Sequence, residues 1–229
     1  MFNPVTVRPL RGSKLEVQAT MARKALVRDL EFPYHIVNRS NNREFFEIEL
    51  ETLWQIFLEN LKTLNKDYRC KIHSFVLMSN HYHLLISAPD GNIDRAMQYL
   101  QRETARTANA KTGRQNHFFG TRYRWSVIRT ENYYWNAMKY VLRNPVRSGL
   151  VENVEDYPFS SLNRENEIWN FPIPFCDHSM NRTYLEWLND PFQNESEHLI
   201  RKALRRKEFQ LPRTKQGRKP VLDAAPYKK

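Results

Sequence analysis

Two histidines flank a tyrosine at His81-Tyr82-His83. In an extended strand, side chains two positions apart leave the same face. The two imidazoles therefore project side by side and Tyr82 goes to the opposite face. Two imidazoles supply half of a divalent metal site; taken alone, such a pair is more often two polar residues on a solvated sheet face. A second pair, Tyr140 and Asn144, lies four residues apart and so shares one helix face. Asn144 has a carbonyl oxygen to offer the same ion, with Tyr140 one turn away. A phenol is a weak nucleophile at neutral pH because its reference pKa is about 10. A metal beside a phosphate offsets this by neutralising charge and aligning the leaving oxygen. The alternative is a Tyr140 packed in the core and an Asn144 that closes the helix before Pro145. Tyr133 falls on the same face seven residues earlier. Periodicity does not choose between the two tyrosines; the neighbouring Asn144 favours Tyr140. His35, His73, His117, His178 and His198 have no comparable partner spacing and are expected to be structural.

Around these residues the chain is basic. The formal net charge is +11, and it is unevenly spread. Residues 1–100 carry about +2, residues 101–150 about +8, residues 151–200 about −8 and residues 201–229 about +9. Two basic blocks separated by an acidic stretch suit a polyanion, because each neutralised phosphate releases counterions. Arg122, Tyr123, Arg124, Trp125 and Arg129 interleave charge with aromatic surface, a mixture suited to single-stranded nucleic acid. Arg143 and Arg147 flank Tyr140 and can hold phosphates close to it. Ordinary surface charge, with Trp125 in the core, is the competing expectation. No Gly-rich phosphate loop of the Walker type is present. Cys70 and Cys176 form no CxxC pair and imply no disulfide framework. The N-terminus lacks the apolar run of a secretory signal, and no stretch approaches the ~20 apolar residues of a membrane span. The expectation is a cytoplasmic protein with no membrane partner.

Elements able to position these residues are visible in the hydrophobic pattern. Tyr34 to Arg39 is rich in strand formers, and Ser40-Asn41-Asn42-Arg43 reads as a polar loop. Leu50, Leu53, Trp54, Phe57, Leu61 and Leu64 recur at helical spacing, which predicts a helix over about 46–64. Cys70 to Met78 and His81 to Ala88 form two strands, antiparallel across the short Ser79-Asn80 connection. Asn92 is placed to cap a helix over about 93–111. Tyr123 to Arg129 is a further strand. Thr130 or Asn132 caps a third helix that ends before Pro145. The order of strand, helix, strand, strand, helix, strand matches the split β-α-β pattern of a ferredoxin-like sheet. The fold class is therefore α+β, with a ferredoxin-like antiparallel sheet, packed helices and a C-terminal helical and basic extension. Residues 1–25 read as an N-terminal arm, 26–165 as the main domain and 166–229 as the extension. Within it, Tyr184 to Leu188 and residues 198–207 are helix candidates, and Leu211 onward is a basic arm.

LMSNHYHLLI, YVLRNPVRSGLV and DYPFSSL, preceded by YHIVNRSNNREFF, together resemble the single-tyrosine transposases of the insertion-sequence-200-like superfamily. The likeness is to the branch associated with repetitive extragenic palindromes (REPs), and it runs from about Tyr34 to Leu162. The resemblance implies that His81 and His83 are the metal pair, Asn144 the third ligand and Tyr140 the nucleophile. It implies Mg2+ or Mn2+ as cofactor and single-stranded hairpin DNA as partner. It also implies a 5′-phosphotyrosine intermediate, a bacterial, nucleoid-associated setting, and a monomer or homodimer. Arg39, Asn41, Asn42, Arg43, Arg122, Arg124, Arg129, Arg143, Arg147, Arg218 and Lys219 are the expected DNA contacts. Where relatives commonly carry a glycine, the loop after the first strand reads Ser40-Asn41-Asn42. Two other functions stay open: a non-catalytic or host-domesticated nucleic-acid-binding protein derived from such an enzyme, and a metal-dependent hydrolase that uses water.

Overall fold

The computed structural model describes residues 25–162, 169, 182–193, 196–211 and 222–224. The N-terminal arm up to residue 24, and Arg218 and Lys219 with most of the basic tail, lie outside the described residues. Strand β1 (Tyr34–Arg39) is followed by α1 (Leu50–Lys66), β2 (Lys71–Leu77), β3 (His81–Ser87), α2 (Ile93–Thr112) and β4 (Arg124–Val127). Then come α3 (Glu131–Leu142), the short α4 (Asn144–Arg147), α5 (Arg182–Asn189) and α6 (Ser196–Ala203). The sheet has the order β2-β3-β1-β4 with every neighbour antiparallel. This is the ferredoxin-like arrangement that the alternation of periods predicts.

Each sheet face buries a different set of helices. Tyr34, Ile36, Ile72, Phe75, Leu77, Tyr82, Leu84, Ile86, Trp125 and Val127 face α1 and α2. These helices contribute Leu53, Trp54, Phe57, Leu61 and Leu64 from α1, and Ile93, Met97 and Leu100 from α2. Each fully buried side chain of this size contributes roughly 1.5–3 kcal/mol. Val76, Leu85 and Ile128 belong to the opposite layer, with Met138, Val141 and Leu142 of α3. Tyr184, Leu188, Ile200 and Leu204 pack into that same layer. The C-terminal helices thus cover α3 instead of hanging from the domain as an appendage.

Two further contacts fasten this C-terminal region. Val127 donates to the Lys207 carbonyl at 3.0 Å and Phe209 donates to the Val127 carbonyl at 2.8 Å, covering the free edge of β4. On α3, Lys139 Nζ lies 2.6 Å from Asp223 Oδ2, with the lysine 1% and the aspartate 5% exposed. Lys139 also sits 4.7 Å from the Trp187 ring centroid and 5.1 Å from that of Phe192.

Several boundaries differ from expectation for physical reasons. Helix α1 starts at Leu50, not at 46, because Phe46 stacks on Phe118 at 5.0 Å and donates its N–H to the Ser79 carbonyl. Asn92 sits at the N-cap of α2, but its side chain donates to the Tyr68 carbonyl and caps nothing. Thr130 does cap α3, accepting from Tyr133 N–H at 3.3 Å. Pro145 does not simply stop the chain's helical course. It opens α4, where its missing N–H costs nothing in the first turn.

Candidate active site

The pleat delivers His81 and His83 to one face and Tyr82 to the other, as period-2 alternation requires. Tyr82 is fully buried between Phe57 and Phe75. Across the β1–β3 ladder Arg39 pairs with His81 and Val37 with His83. His35, two residues before Val37, projects from the same face. The ring centroids of His81 and His83 are 5.1 Å apart.

Each imidazole is held at Nδ1. His81 Nδ1 lies 2.7 Å from Asn80 Oδ1. Asn80 Nδ2 donates to the Arg43 carbonyl at 2.9 Å, so the other end of the amide is the acceptor. The His81 proton therefore sits on Nδ1 and its Nε2 carries a lone pair. His83 Nδ1 lies 2.9 Å from His35 Nε2. Among the described residues nothing bonds to Nε2 of His81 or His83.

Helix α3 brings Tyr140 against this group. The Tyr140 ring stands edge-on to His83 at 5.8 Å and to His35 at 6.3 Å. Tyr133 goes elsewhere: its ring packs on Phe209 at 4.8 Å and its hydroxyl accepts from Leu211 N–H. Of the two tyrosines that periodicity leaves open, Tyr140 alone meets the imidazoles. Asn144 is fully buried. Its amide N–H groups donate to the Tyr140 carbonyl at 2.7 Å and the Val141 carbonyl at 3.3 Å, and its Oδ1 accepts from Arg147 Nη2 at 2.7 Å. Arg147 also lies 5.4 Å over the Tyr140 ring and 3.3 Å from Glu197 of α6.

Burial sets the protonation states. Desolvation pushes His35 down to about 3. Desolvation, then Arg39, Arg147 and Arg201, takes His81 to about 4. His83 is held well below its ordinary value by the same burial and by its imidazole and arginine neighbours. All three rings are therefore neutral near pH 7, the form a metal requires. Burial raises the Tyr140 hydroxyl, against the pull of Arg147 and Arg201. Among the described residues no group of three or more His, Cys, Asp or Glu is arranged to hold a metal ion by itself. The metal-binding donor types present are two imidazoles with unbonded Nε2 atoms and, one turn beyond Tyr140, the Asn144 carbonyl oxygen. That oxygen keeps a second lone pair beside its bond to Arg147.

The expected DNA contacts separate into groups. Arg43, Arg124 and Arg201 lie close enough to Arg39 that, after burial, their charges lower the pKa of its guanidinium. The loop carrying Asn41, Asn42 and Arg43 is tied to the hairpin by Ser40 N–H on the Asn80 carbonyl at 2.9 Å. It is tied to residues 118–120 by Asn41 N–H on the Phe118 carbonyl at 3.1 Å. Asn42 and Arg43 hold φ of 54° and 64°, the left-handed region that glycine adopts more cheaply. A Cβ on Gly120 would meet the Ser40 carbonyl at 3.1 Å and Asn41 Cα at 3.3 Å, so a larger residue there would press the two loops slightly apart. Arg122 is exposed over the Tyr123 ring. Arg129 and Arg143 stand apart from this group. Arg129 is paired with Asp29 at 2.9 Å and Glu208 at 3.4 Å, and Arg143 donates to the Leu188 and Asn189 carbonyls at the end of α5. Tyr123 and Trp125 are buried in the helix layer, leaving only the charges of that block on the surface. Arg201 and Glu197 at the site, and the bond from His35, depend on packing between distant segments and have no local sequence signal.

The chain is similar to known proteins. The family described as "Transposase IS200 like" matches residues 30–144. A REP-associated tyrosine transposase of Escherichia coli (strain K12) is 26% identical over 143 residues, spanning 62% of this chain and 83% of its own length. A Haemophilus influenzae relative is 25% identical over 127 residues, spanning 51% of this chain and 72% of its own. A solved REP-associated tyrosine transposase bound to a REP hairpin superposes with a TM-score of 0.52 at 19% identity, covering 65% of this chain and 93% of that one; at this identity the likeness concerns the fold. The family match spans half of the chain and contains the histidine pair, Tyr140 and Asn144, and the chain belongs to the IS200-like transposase family.

Proposed function

We propose that this protein is a metal-dependent single-stranded DNA endonuclease and strand transferase that acts through a 5′-phosphotyrosine at Tyr140. The observation that carries this reading is the edge-on packing of the Tyr140 ring against His83 at 5.8 Å. It sets a phenol against His83, a neutral imidazole whose Nε2 is uncommitted and whose ring neighbours that of His81.

In this reading His81, His83 and Asn144 hold Mg2+ or Mn2+. The ion, when bound, neutralises charge on the scissile phosphate and aligns the leaving oxygen. The Tyr140 oxygen attacks phosphorus, its proton passing to solvent. The new O–P bond forms as the P–O3′ bond breaks, and the departing oxygen takes up a proton as a 3′-hydroxyl. The 5′ end stays on Tyr140. Attack by a 3′-hydroxyl on that link reverses the exchange and joins strands with no external energy source. Arg147, over the Tyr140 ring, supplies a phosphate contact.

The relatives named for REP association, one of them solved with a REP hairpin, support a hairpin-bearing single strand as the substrate. Arg39, Arg43, Arg122 and Arg124 supply phosphate contacts, and Phe45, 72% exposed beside Arg43, offers a stacking face. Residues 26–165 with α5 and α6 packed on them form the working unit. Among the described residues no helix is long and apolar enough to cross a membrane.

The test is incubation of labelled hairpin-bearing single strands with Mn2+. The parent protein yields a covalent protein–DNA species. Tyr140→Phe retains hairpin binding and forms none. Cutting by Tyr140→Phe at the parental rate would overturn the nucleophile assignment.

A further inference from the structure

His35 is 2% exposed and belongs to no metal-ligating group, yet its Nε2 lies 2.9 Å from His83 Nδ1. One of the two nitrogens must donate and the other accept. If His35 donated, neutral His83 would carry its proton on Nε2 and would have no lone pair there. If His83 donates, its Nε2 is free. The first histidine of the pair already shows this second arrangement, because the Asn80 amide is oriented by the Arg43 carbonyl and accepts from His81 Nδ1. The two imidazoles then present the same nitrogen.

The proton left on His35 Nδ1 has a chemically suitable neighbour. Nδ1 is buried without a hydrogen-bond partner, and so is the Ser126 hydroxyl. Ser126 is the residue paired with His35 across the β1–β4 ladder. A hydroxyl accepts as readily as it donates, so Ser126, although it does not bond to His35 in this structure, is the side chain across the ladder that is chemically able to accept from that N–H.

We propose that His35 is a positioning residue that fixes His83 as an Nε2 metal ligand by accepting a hydrogen bond from its Nδ1–H. This rests on the reading of His83 as a ligand. Outer partners of metal-bound histidines typically change metal affinity 10- to 100-fold.

Mn2+ titration calorimetry without DNA tests it, with His83→Ala as the control. His35→Phe is expected to weaken Mn2+ binding about 10-fold or more, while His35→Gln, whose side-chain carbonyl can still accept, stays within about threefold of the parent. Equal loss in both variants, or none in either while His83→Ala abolishes binding, overturns the role of His35. Unchanged binding in His83→Ala instead overturns the site itself. Nitrogen-15 correlation spectra of the metal-free parent protein give a readout that requires no variant to fold. His83 is expected as the Nδ1–H tautomer, and an Nε2–H tautomer would refute the proposal.

Discussion

Arg147 Nη2 donates to Asn144 Oδ1 at 2.7 Å, so the amide oxygen assigned to the metal shares its electrons with a cation. The same guanidinium lies over the Tyr140 ring and pairs with Glu197. Removing it has opposite effects on the two ligands of the site. Arg147→Ala is expected to tighten Mn2+ binding in the absence of DNA by about fivefold, the equivalent of ~1 kcal/mol of relieved repulsion. DNA cleavage by the same variant falls, because a phosphate contact is lost. Calorimetry and a cleavage assay on one preparation check both signs; weaker Mn2+ binding would contradict this account of Arg147.

The Lys139–Asp223 pair predicts how the C-terminal segment holds on. Both groups are buried, and burial lowers the lysine's pKa while the aspartate supports its charge. Removing one partner leaves an uncompensated buried charge, which costs about 3–5 kcal/mol. Asp223→Ala should lower the urea midpoint by that equivalent. Lys139→Met combined with Asp223→Leu should recover most of it, since apolar replacement of a whole pair is often neutral. A double variant as unstable as the single one would show that the pair is not the source.

Acid should destabilise the metal-free protein early. His35 and His81 are held neutral at about 3 and about 4, below the unfolded value of 6.5. The unfolded chain therefore binds protons that the folded one does not. Stability is fully present above about pH 6.5 and is lost progressively as pH falls towards the folded values. Each such histidine costs about 2 kcal/mol between pH 7 and 5. Urea unfolding at the two pH values measures the loss. His35→Phe should show a shallower dependence, and an unchanged slope would argue against a neutral buried His35.

Local periodicity made much of this structure legible. Alternation placed Tyr82 opposite the two histidines, and the repeat of Leu50, Leu53, Trp54, Phe57, Leu61 and Leu64 marked α1, which runs over Leu50–Lys66. What stayed hidden depends on pairings between distant segments. Phe46 sits at helical spacing but is claimed by Phe118, 72 residues away. His35 meets His83 only through the β1–β3 register, which neither strand encodes alone. The block from Arg122 to Trp125 looked like a stacking surface by composition, yet strand pleating sends its aromatics inward and its arginines out. Arg129 and Arg143 carry the right charge for DNA, but carboxylates and helix-end carbonyls elsewhere in the fold claim them.

Tyr140 follows Lys139 and is followed by Val141, Leu142 and Arg143, so trypsin releases it in a four-residue peptide. Mass spectrometry of the digested protein–DNA adduct, formed on a hairpin-bearing strand in Mn2+, locates the covalent link directly. The account predicts a nucleotide carried through its 5′ phosphate on the tyrosine of that peptide. A link through Tyr133 or any other residue, or cleavage that leaves no adduct on the chain, would contradict it.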